Sequence, residues 1–490
     1  MKLARNTPRR HCVLARLPKP RTDTTANHGD NGVVPHQIPT ADPAQTRAEL
    51  ENLRPDLVER YDAALPGARA AILRRLQIAI GREPLPGAVY ADMDPIELAA
   101  KLWPGTAFVA EVANSVANLA LAHANRIPRT LPAPGDPDGL GRIEQLETDG
   151  HPLHPGCRTR AGMTVADVLA YAPEHRPVIR LRRLRVPAER WHGTAQPVLY
   201  AHPWQAARLL REFPWLTDAG PTRPMRPLMS LRTVAPVSGG PHLKTAVDVQ
   251  MTSAVRTVSP AAVHNGPILS AFLTRITADL PIDILAETEA GAVLTDDGPD
   301  RRLAHLVRRA PRLGPGETAL PLGVFTSTFL DLVDDPYRWL DELTAILFAP
   351  LTTVLGRGVA LEAHGQNTLV VLRDRRPVRI LYRDLGGVRV DRALGLDLHG
   401  DLLTDDPAVL RTKLAAAALG TVASQLVDAF ADRHGAEPDR LWAIVAAGLR
   451  GAPELLTEPL PVKATTAMRL AADPLDDIWT QQPNPMAVHA

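Results

Sequence analysis

The sequence predicts an α+β protein in three parts, and three observations carry that reading. Apolar residues recur at helical spacing from 43 to about 147, short β-type runs dominate 148–335, and helical periodicity returns over 336–490. Ahead of these, residues 1–42 are basic, rich in Pro, Thr, Asn, Asp and Gly, and lack apolar periodicity, which reads as a flexible tail. A chain of 490 residues has room for about three domains of roughly 150 residues each.

The elements follow in order. Leu50, Leu53, Leu57, Val58 and Tyr61 fall at helical intervals interrupted by Pro55, and Ala70 to Ile80 carries a second apolar stripe. Asp94-Pro95 is an N-cap with proline at the first helical position. Ala107 to Ala124 reads as a buried helix with Glu111, Asn114 and Asn118 on a related face. After a Pro/Gly-rich connection, strands are expected at Val178 to Val186, Val198 to Tyr200 and Ala292 to Leu294, with a helix at Trp204 to Phe213. Arg180, Arg182, Arg183 and Arg185 interleave with apolar residues there, as a solvated edge strand or as a selector of acidic substrates. The last region holds the apolar helices Leu414 to Phe430 and Arg440 to Leu449, and one hairpin, Asn367 to Tyr382, turning through Arg373 to Pro377.

Composition narrows the function classes. Lys+Arg 55 against Asp+Glu 54 leaves a net charge of +1, so nothing global favours nucleic acid or an anionic membrane. Cys12 and Cys157 are the only cysteines, which excludes a disulfide framework and an all-cysteine metal site and suits a reducing cytoplasm. No apolar run approaches the ~20 residues that span a bilayer, and the N-terminus lacks an apolar core, so neither signal nor anchor is expected.

The chemistry concentrates in three stretches. Met229 to Thr257 reads as two strands joined by a Gly239-Gly240-Pro241 turn. Ser230 and Arg232 alternate with Met229, Leu231 and Thr233; Lys244, Asp248, Gln250 and Thr252 alternate with Val247, Val249 and Met251, and Arg256 follows. Solvent is the ordinary partner of such a face. Yet Arg232, Lys244 and Arg256 together are costly to bury without an anion, so a phosphate or carboxylate is the natural occupant.

In the second stretch, His151-Pro152-Leu153-His154-Pro155 precedes Arg158 and Arg160, as in a stiff loop presenting donors to an anion. Zinc ligation by the histidines is disfavoured by the prolines and the cationic neighbours. In the third, Glu362, His364 and Gln366 open the C-terminal hairpin and Asp384 closes it. That is the donor set a Mg²⁺–phosphate complex accepts. No GxxxxGK[ST] loop, GxGxxG turn or GxSxG elbow is present.

Taken together, GHPLHPGCRTRAG, AHPWQ, SLRT, HLKTAVDVQMTSAVRT, EAHGQN, RDLGG and PVKATTAMRL resemble the IucA/IucC family of NRPS-independent siderophore synthetases, from about residue 95 onward. The resemblance implies a cradle-like fold: a helical thumb (43–147), β-rich fingers with a nucleotide-phosphate face (148–335), and a mostly helical palm (336–490). It implies ATP and Mg²⁺, a citrate-like polycarboxylic acid activated as an acyl-adenylate, an amine or alcohol nucleophile, and a homodimer. By motif position, His154, Arg158, Arg160, Ser230, Arg232, Thr233, Lys244, Arg256 and Asp384 would meet ATP. Thr252, Arg256, His364, Gln366 and Lys463 would surround the substrate carboxylates, and Glu362 and Asp384 the metal. Arg256, Lys244 and His364 are the expected catalytic groups, His364 as proton acceptor.

Arg158 stands where the motif usually has lysine, preserving charge but not geometry. Two rival readings are the same ligase chemistry on a non-siderophore metabolite and a non-catalytic nucleotide- or citrate-binding homologue. A ferric reductase built on the C-terminal region would want a cysteine cluster there, and none exists.

Overall fold

Asp42 starts the first helix with a capping box: its carboxylate accepts from Gln45 N (2.9 Å) while Asp42 N donates to Gln45 Oε1 (3.0 Å). The structure is a computed structural model describing residues 40–87, 93–252, 254–471 and 477–490; the predicted tail lies outside the described residues as far as residue 39. Pro55 breaks the helix Pro43–Leu53, as expected, and the helix Val58–Arg82 follows. Asp94 accepts from Ile96 N (2.8 Å) and caps Pro95–Leu102. Ala107–Ala124 is a helix with the expected bounds, packed against Val58–Arg82.

The polar face of Ala107–Ala124 is buried because it holds the His-Pro loop. Asn114 Oδ1 accepts from Arg160 N (2.9 Å), Asn118 Nδ2 donates to Arg158 O (3.0 Å), and Ser115 Oγ accepts from Arg158 N (3.1 Å). The helical core continues past residue 147: Val165 and Val168, and then Val247, Val249 and Met251, pack into it.

A six-stranded antiparallel sheet forms the middle region, in the order Trp191–Gly193, Glu287–Thr295, Gly298–Arg308, His242–Thr245, Thr233–Pro236, Met225–Pro227. The Gly-Gly-Pro turn joins two strands as expected, but the strands are shorter. Met229 to Arg232 is a turn in which Leu231 N donates to Leu228 O (2.8 Å) and Leu231 takes a left-handed φ of 63°. The second strand breaks at Ala246. Gln205, from the AHPWQ motif, bridges the break by donating to Ala246 O (2.9 Å) and accepting from Asp248 N (3.0 Å). Lys244 therefore stays in the large sheet opposite Thr233, while Asp248 and Gln250 belong to a separate hairpin, Val247–Met251 with Ala254–Arg256. The arginine-rich strand is not an edge: Arg182–Arg185 lies between Val198–Ala201 and Thr217–Pro221, and Arg182 pairs with Asp218.

The palm sheet runs Ile282–Ile284, Arg376–Tyr382, Thr368–Arg373, Glu317–Pro321, with the first pair parallel. It thus recruits two strands from before residue 336. The predicted hairpin is present and turns at Asp374 and Arg375, with φ of 49° and 65°, the two left-handed residues of a type I′ turn. Two helical stretches, Pro336–Gly356 and Pro407–His434, are long and apolar enough to cross a membrane by length and composition, contrary to the expectation from sequence. Here 50% and 67% of their apolar windows are buried, against the hairpin and each other's neighbours in the palm core.

One buried ion pair crosses all three parts. Glu144 Oε1 accepts from Arg383 Nη1 (2.6 Å) and Glu144 Oε2 accepts from Met229 N (2.9 Å). Arg383→Ala would leave Glu144 buried and uncompensated, and is expected to lower stability by about 3–5 kcal/mol in urea unfolding. A loss under about 1 kcal/mol would show that the pair does not hold the parts together.

Candidate active site

Arg232, Lys244 and Arg256 act through their charges on Asp384 where the large sheet meets the palm hairpin. Lys244, buried, donates to Asp384 Oδ1 (2.6 Å) from across that boundary. Burial alone would raise the Asp384 pKa, but Lys244 and Arg232 hold it far below the usual carboxylate range. Asp384 itself takes a left-handed φ of 69°, a conformation costing a non-glycine residue about 1–3 kcal/mol unless its surroundings enforce it. Tyr382 is part of that enforcement: its phenol accepts from Glu362 N (3.0 Å) and donates to Asp384 O (3.5 Å), tying both ends of the hairpin. Glu362 in turn accepts from Lys413 Nζ (2.6 Å), and a Cβ at Gly387 would collide with the Glu362 carboxylate.

Arg232 sits just after the left-handed turn and donates to Thr257 O. Arg256 donates through Nη2 to Thr252 Oγ1 (2.7 Å) and Met251 O (3.1 Å), and its buried Nε has no partner. Burial, followed by the charges of Arg232 and Arg160, draws the Arg256 pKa down to about 10. A guanidinium disfavoured by desolvation and by like charges is stabilised by an arriving anion.

The histidines act as donors here. His154 Nδ1 accepts from Gly156 N (2.8 Å) and His364 Nδ1 accepts from Gln366 N (3.3 Å), so the proton of each neutral ring lies on Nε2. Burial pushes the His154 pKa down to about 3 and lowers that of His364, keeping both neutral. In this tautomer His364 cannot accept a proton at Nε2, which departs from the role expected for it.

With this geometry in place, comparisons with known proteins are informative. The IucA / IucC family profile matches residues 140–197 and 195–326, and a profile described as "Ferric iron reductase FhuF-like transporter" matches residues 337–489. The chain is 27% identical to staphyloferrin A synthase of Staphylococcus aureus, over 63% of this chain and 64% of that protein. It is 21% identical to D-ornithine–citrate ligase of the same organism, over 52% and 51%. The chain thus spans about half to two thirds of the length of these curated relatives. Among solved structures, the petrobactin biosynthesis protein AsbB of Bacillus anthracis superposes with a TM-score of 0.69 at 20% identity, covering 78% of this chain and 79% of that one. ATP-bound aerobactin synthetase IucA of Klebsiella pneumoniae gives 0.66 at 19% identity, covering 80% and 87%.

Residues 140–326 thus match the IucA/IucC family profile, and the chain shares the fold of AsbB and IucA. The stretch matching the FhuF-like profile contains no cysteine, so it offers no thiolate for an iron–sulfur cluster.

Of the residues the motifs imply, Arg232, Lys244 and Arg256 interact with Asp384, His364 feels the charges of Glu362 and Asp384, and Thr252 holds Arg256. Lys463 pairs with Asp477 (2.7 Å) and acts on Glu362 through its charge. Two residues expected to meet ATP are engaged elsewhere. Arg158 and Arg160 are 4% and 1% exposed and both pair with buried Glu174, at 3.1 and 3.0 Å. Thr233, buried like Lys244, is its register partner and lies on the same face of the sheet.

Lys413, Tyr382, Glu287 and Arg308 were not legible as site residues. Glu287 and Arg308 are register partners on adjacent strands, buried, with Glu287 Oε1 and Arg308 Nε unpartnered. Lys413 had one signal, its place at the threshold of the apolar run Leu414–Leu419. Tyr382→Phe removes the phenol that ties Glu362 to Asp384, and is expected to cost about 1–2 kcal/mol in urea unfolding. A loss under about 0.5 kcal/mol would mean the hairpin is held without it.

Proposed function

We propose that this protein is an ATP-dependent ligase. It activates a carboxylate of citrate or a related polycarboxylic acid as an acyl-adenylate and condenses it with an amine or alcohol, in siderophore or metallophore assembly. The observation that carries the reading is the meeting of Arg232, Lys244 and Arg256 with the Glu362–Asp384 hairpin at one boundary. Relatives named as synthases and citrate ligases of siderophore assembly support it.

The substrate carboxylate attacks the α-phosphorus of ATP, an O–P bond forms, and the P–O bond to pyrophosphate breaks. Two anions must approach, so cations fixed beforehand stabilise the developing charge and hold the oxygens in line. Ser230, Arg232, Lys244 and the His154 Nε2–H face the phosphates in this reading. Arg256, oriented by Thr252, takes the reacting carboxylate. His364, Gln366 and Lys463 hold the remaining carboxylates, His364 by donation. Arg158 and Arg160 position the loop. The nucleophile then attacks the acyl carbon and AMP departs.

Glu362 and Asp384 fit Mg²⁺, as two carboxylates of one hairpin beside the phosphate face. Each is neutralised by a lysine, Lys413 or Lys244, and those lysines can exchange a carboxylate for phosphate when the nucleotide arrives. Bound there, Mg²⁺ would neutralise phosphate charge.

The test is pyrophosphate release by the purified protein with ATP and Mg²⁺ across citrate, 2-oxoglutarate and succinate, with hydroxylamine trapping. Acid-dependent release and a hydroxamate are expected with citrate. Arg256→Ala and Lys244→Ala should each lose about 100-fold or more while keeping a cooperative unfolding transition, with Lys244→Ala destabilised by the loss of its pair with Asp384. A variant with an undiminished rate would remove its residue from the site. ATP binding without pyrophosphate release from any acid would favour the binding homologue.

A further inference from the structure

We propose a second, separate metal site at His264, Asp397 and His399, for a divalent transition metal. One ligand atom from each lies within 4.8 Å of the others. His264 Nε2 is 3.4 Å from Asp397 Oδ2 and 3.1 Å from Asp397 O, and the two imidazoles stack with centroids 3.8 Å apart at 8°. His264 belongs to the helix Pro260–Ile276, whereas Asp397 and His399 lie on a connection more than 130 residues later, so the fold assembles the set.

The supporting shell is built as a ligand site requires. Asn265, 3% exposed, donates to His399 O (2.8 Å) and accepts from His399 N (2.8 Å). That two-point clamp fixes the backbone carrying His399 against the helix carrying His264, the kind of outer contact that orients metal ligands. Asp397 and His399 are exposed, which gives an ion its entry. Two imidazoles and one carboxylate suit Zn²⁺, Co²⁺, Ni²⁺ or Fe²⁺, while Mg²⁺ prefers oxygen. Two rings that each hold the metal in plane cannot stay parallel at 3.8 Å, so binding splays the stack. Exposed His399 is the ring free to turn. Water completes the shell.

The test titrates Co²⁺ into tag-free, chelator-stripped full-length protein without nucleotide, followed by visible absorption and then displacement with Zn²⁺. One equivalent of Co²⁺ with a d–d band, displaced by Zn²⁺, is expected. His399→Ala and His264→Ala should each weaken binding about tenfold or more. His399→Ala should leave the unfolding temperature and pyrophosphate release unchanged, which separates this site from the hairpin carboxylates. Absence of stoichiometric Co²⁺ binding, or equal affinity in His399→Ala, would overturn the proposal.

Discussion

Glu144 and Arg383 are 0% and 3% exposed and sit 2.6 Å apart, so each charge depends on the other for compensation. What makes the pair consequential is where its remaining hydrogen bonds go. Glu144 also accepts from Met229 N, at the head of the turn that presents Ser230 and Arg232. Arg383 donates through Nε to Gln366 O (3.0 Å) and through its backbone to Asn367 O (3.0 Å), and it precedes Asp384 directly. One interaction thus sets the Ser230–Arg232 turn and the carboxylate hairpin relative to each other. Lys244 and Asp384 close the same boundary a second time, from the sheet side.

Backbone strain gathers at the same places. Among the described residues, the non-glycine positions with positive φ are Arg176, Leu231, Thr252, Asp374, Arg375 and Asp384. Asp374 and Arg375 make a hairpin turn, but Leu231, Thr252 and Asp384 each belong to or adjoin a candidate site residue. A left-handed Leu231 is tolerated because its side chain is fully buried in the helical core, with Val247 and Val249. Packing energy from the thumb therefore holds a turn that the local sequence alone would not favour.

How much was legible in the sequence follows from that. The helices read well because their signals are local: the Asp42 and Asp94 caps, the Pro55 break and the stripe of Ala107–Ala124 all act within a few residues. Lys244 and Asp384, read from separate motifs, meet across the boundary. The errors came from nonlocal causes. Strict alternation placed Ser230 and Arg232 on a strand, whereas the Glu144 contact and the buried Leu231 bend them into a turn. Arg158 and Arg160 looked like free donors because Glu174, which neutralises both, is a single carboxylate with no spacing signal. Lys413 was hidden for the same reason, since its partner Glu362 lies 51 positions away.

The donor bias of the site has a chemical consequence. Arg232, Lys244 and Arg256 only donate, and the Nδ1 contacts of His154 and His364 make those neutral rings donors at Nε2 as well. A surface of this kind binds oxyanions and repels ammonium groups. The carboxylates that could receive a proton, Glu362 and Asp384, are each held ionised by a lysine, and Asp384 is far too weak a base to take one near neutral pH. Glu287 differs: burial raises its pKa, one carboxylate oxygen lacks a partner, and it lies within reach of the charges of Lys244 and Asp384. On the proposed ligase reading, neither the Nε2–H histidines nor the lysine-paired carboxylates accept the proton of an attacking amine. In that reading the adenylate leaving group, not one of these groups, supplies the driving force for the second step.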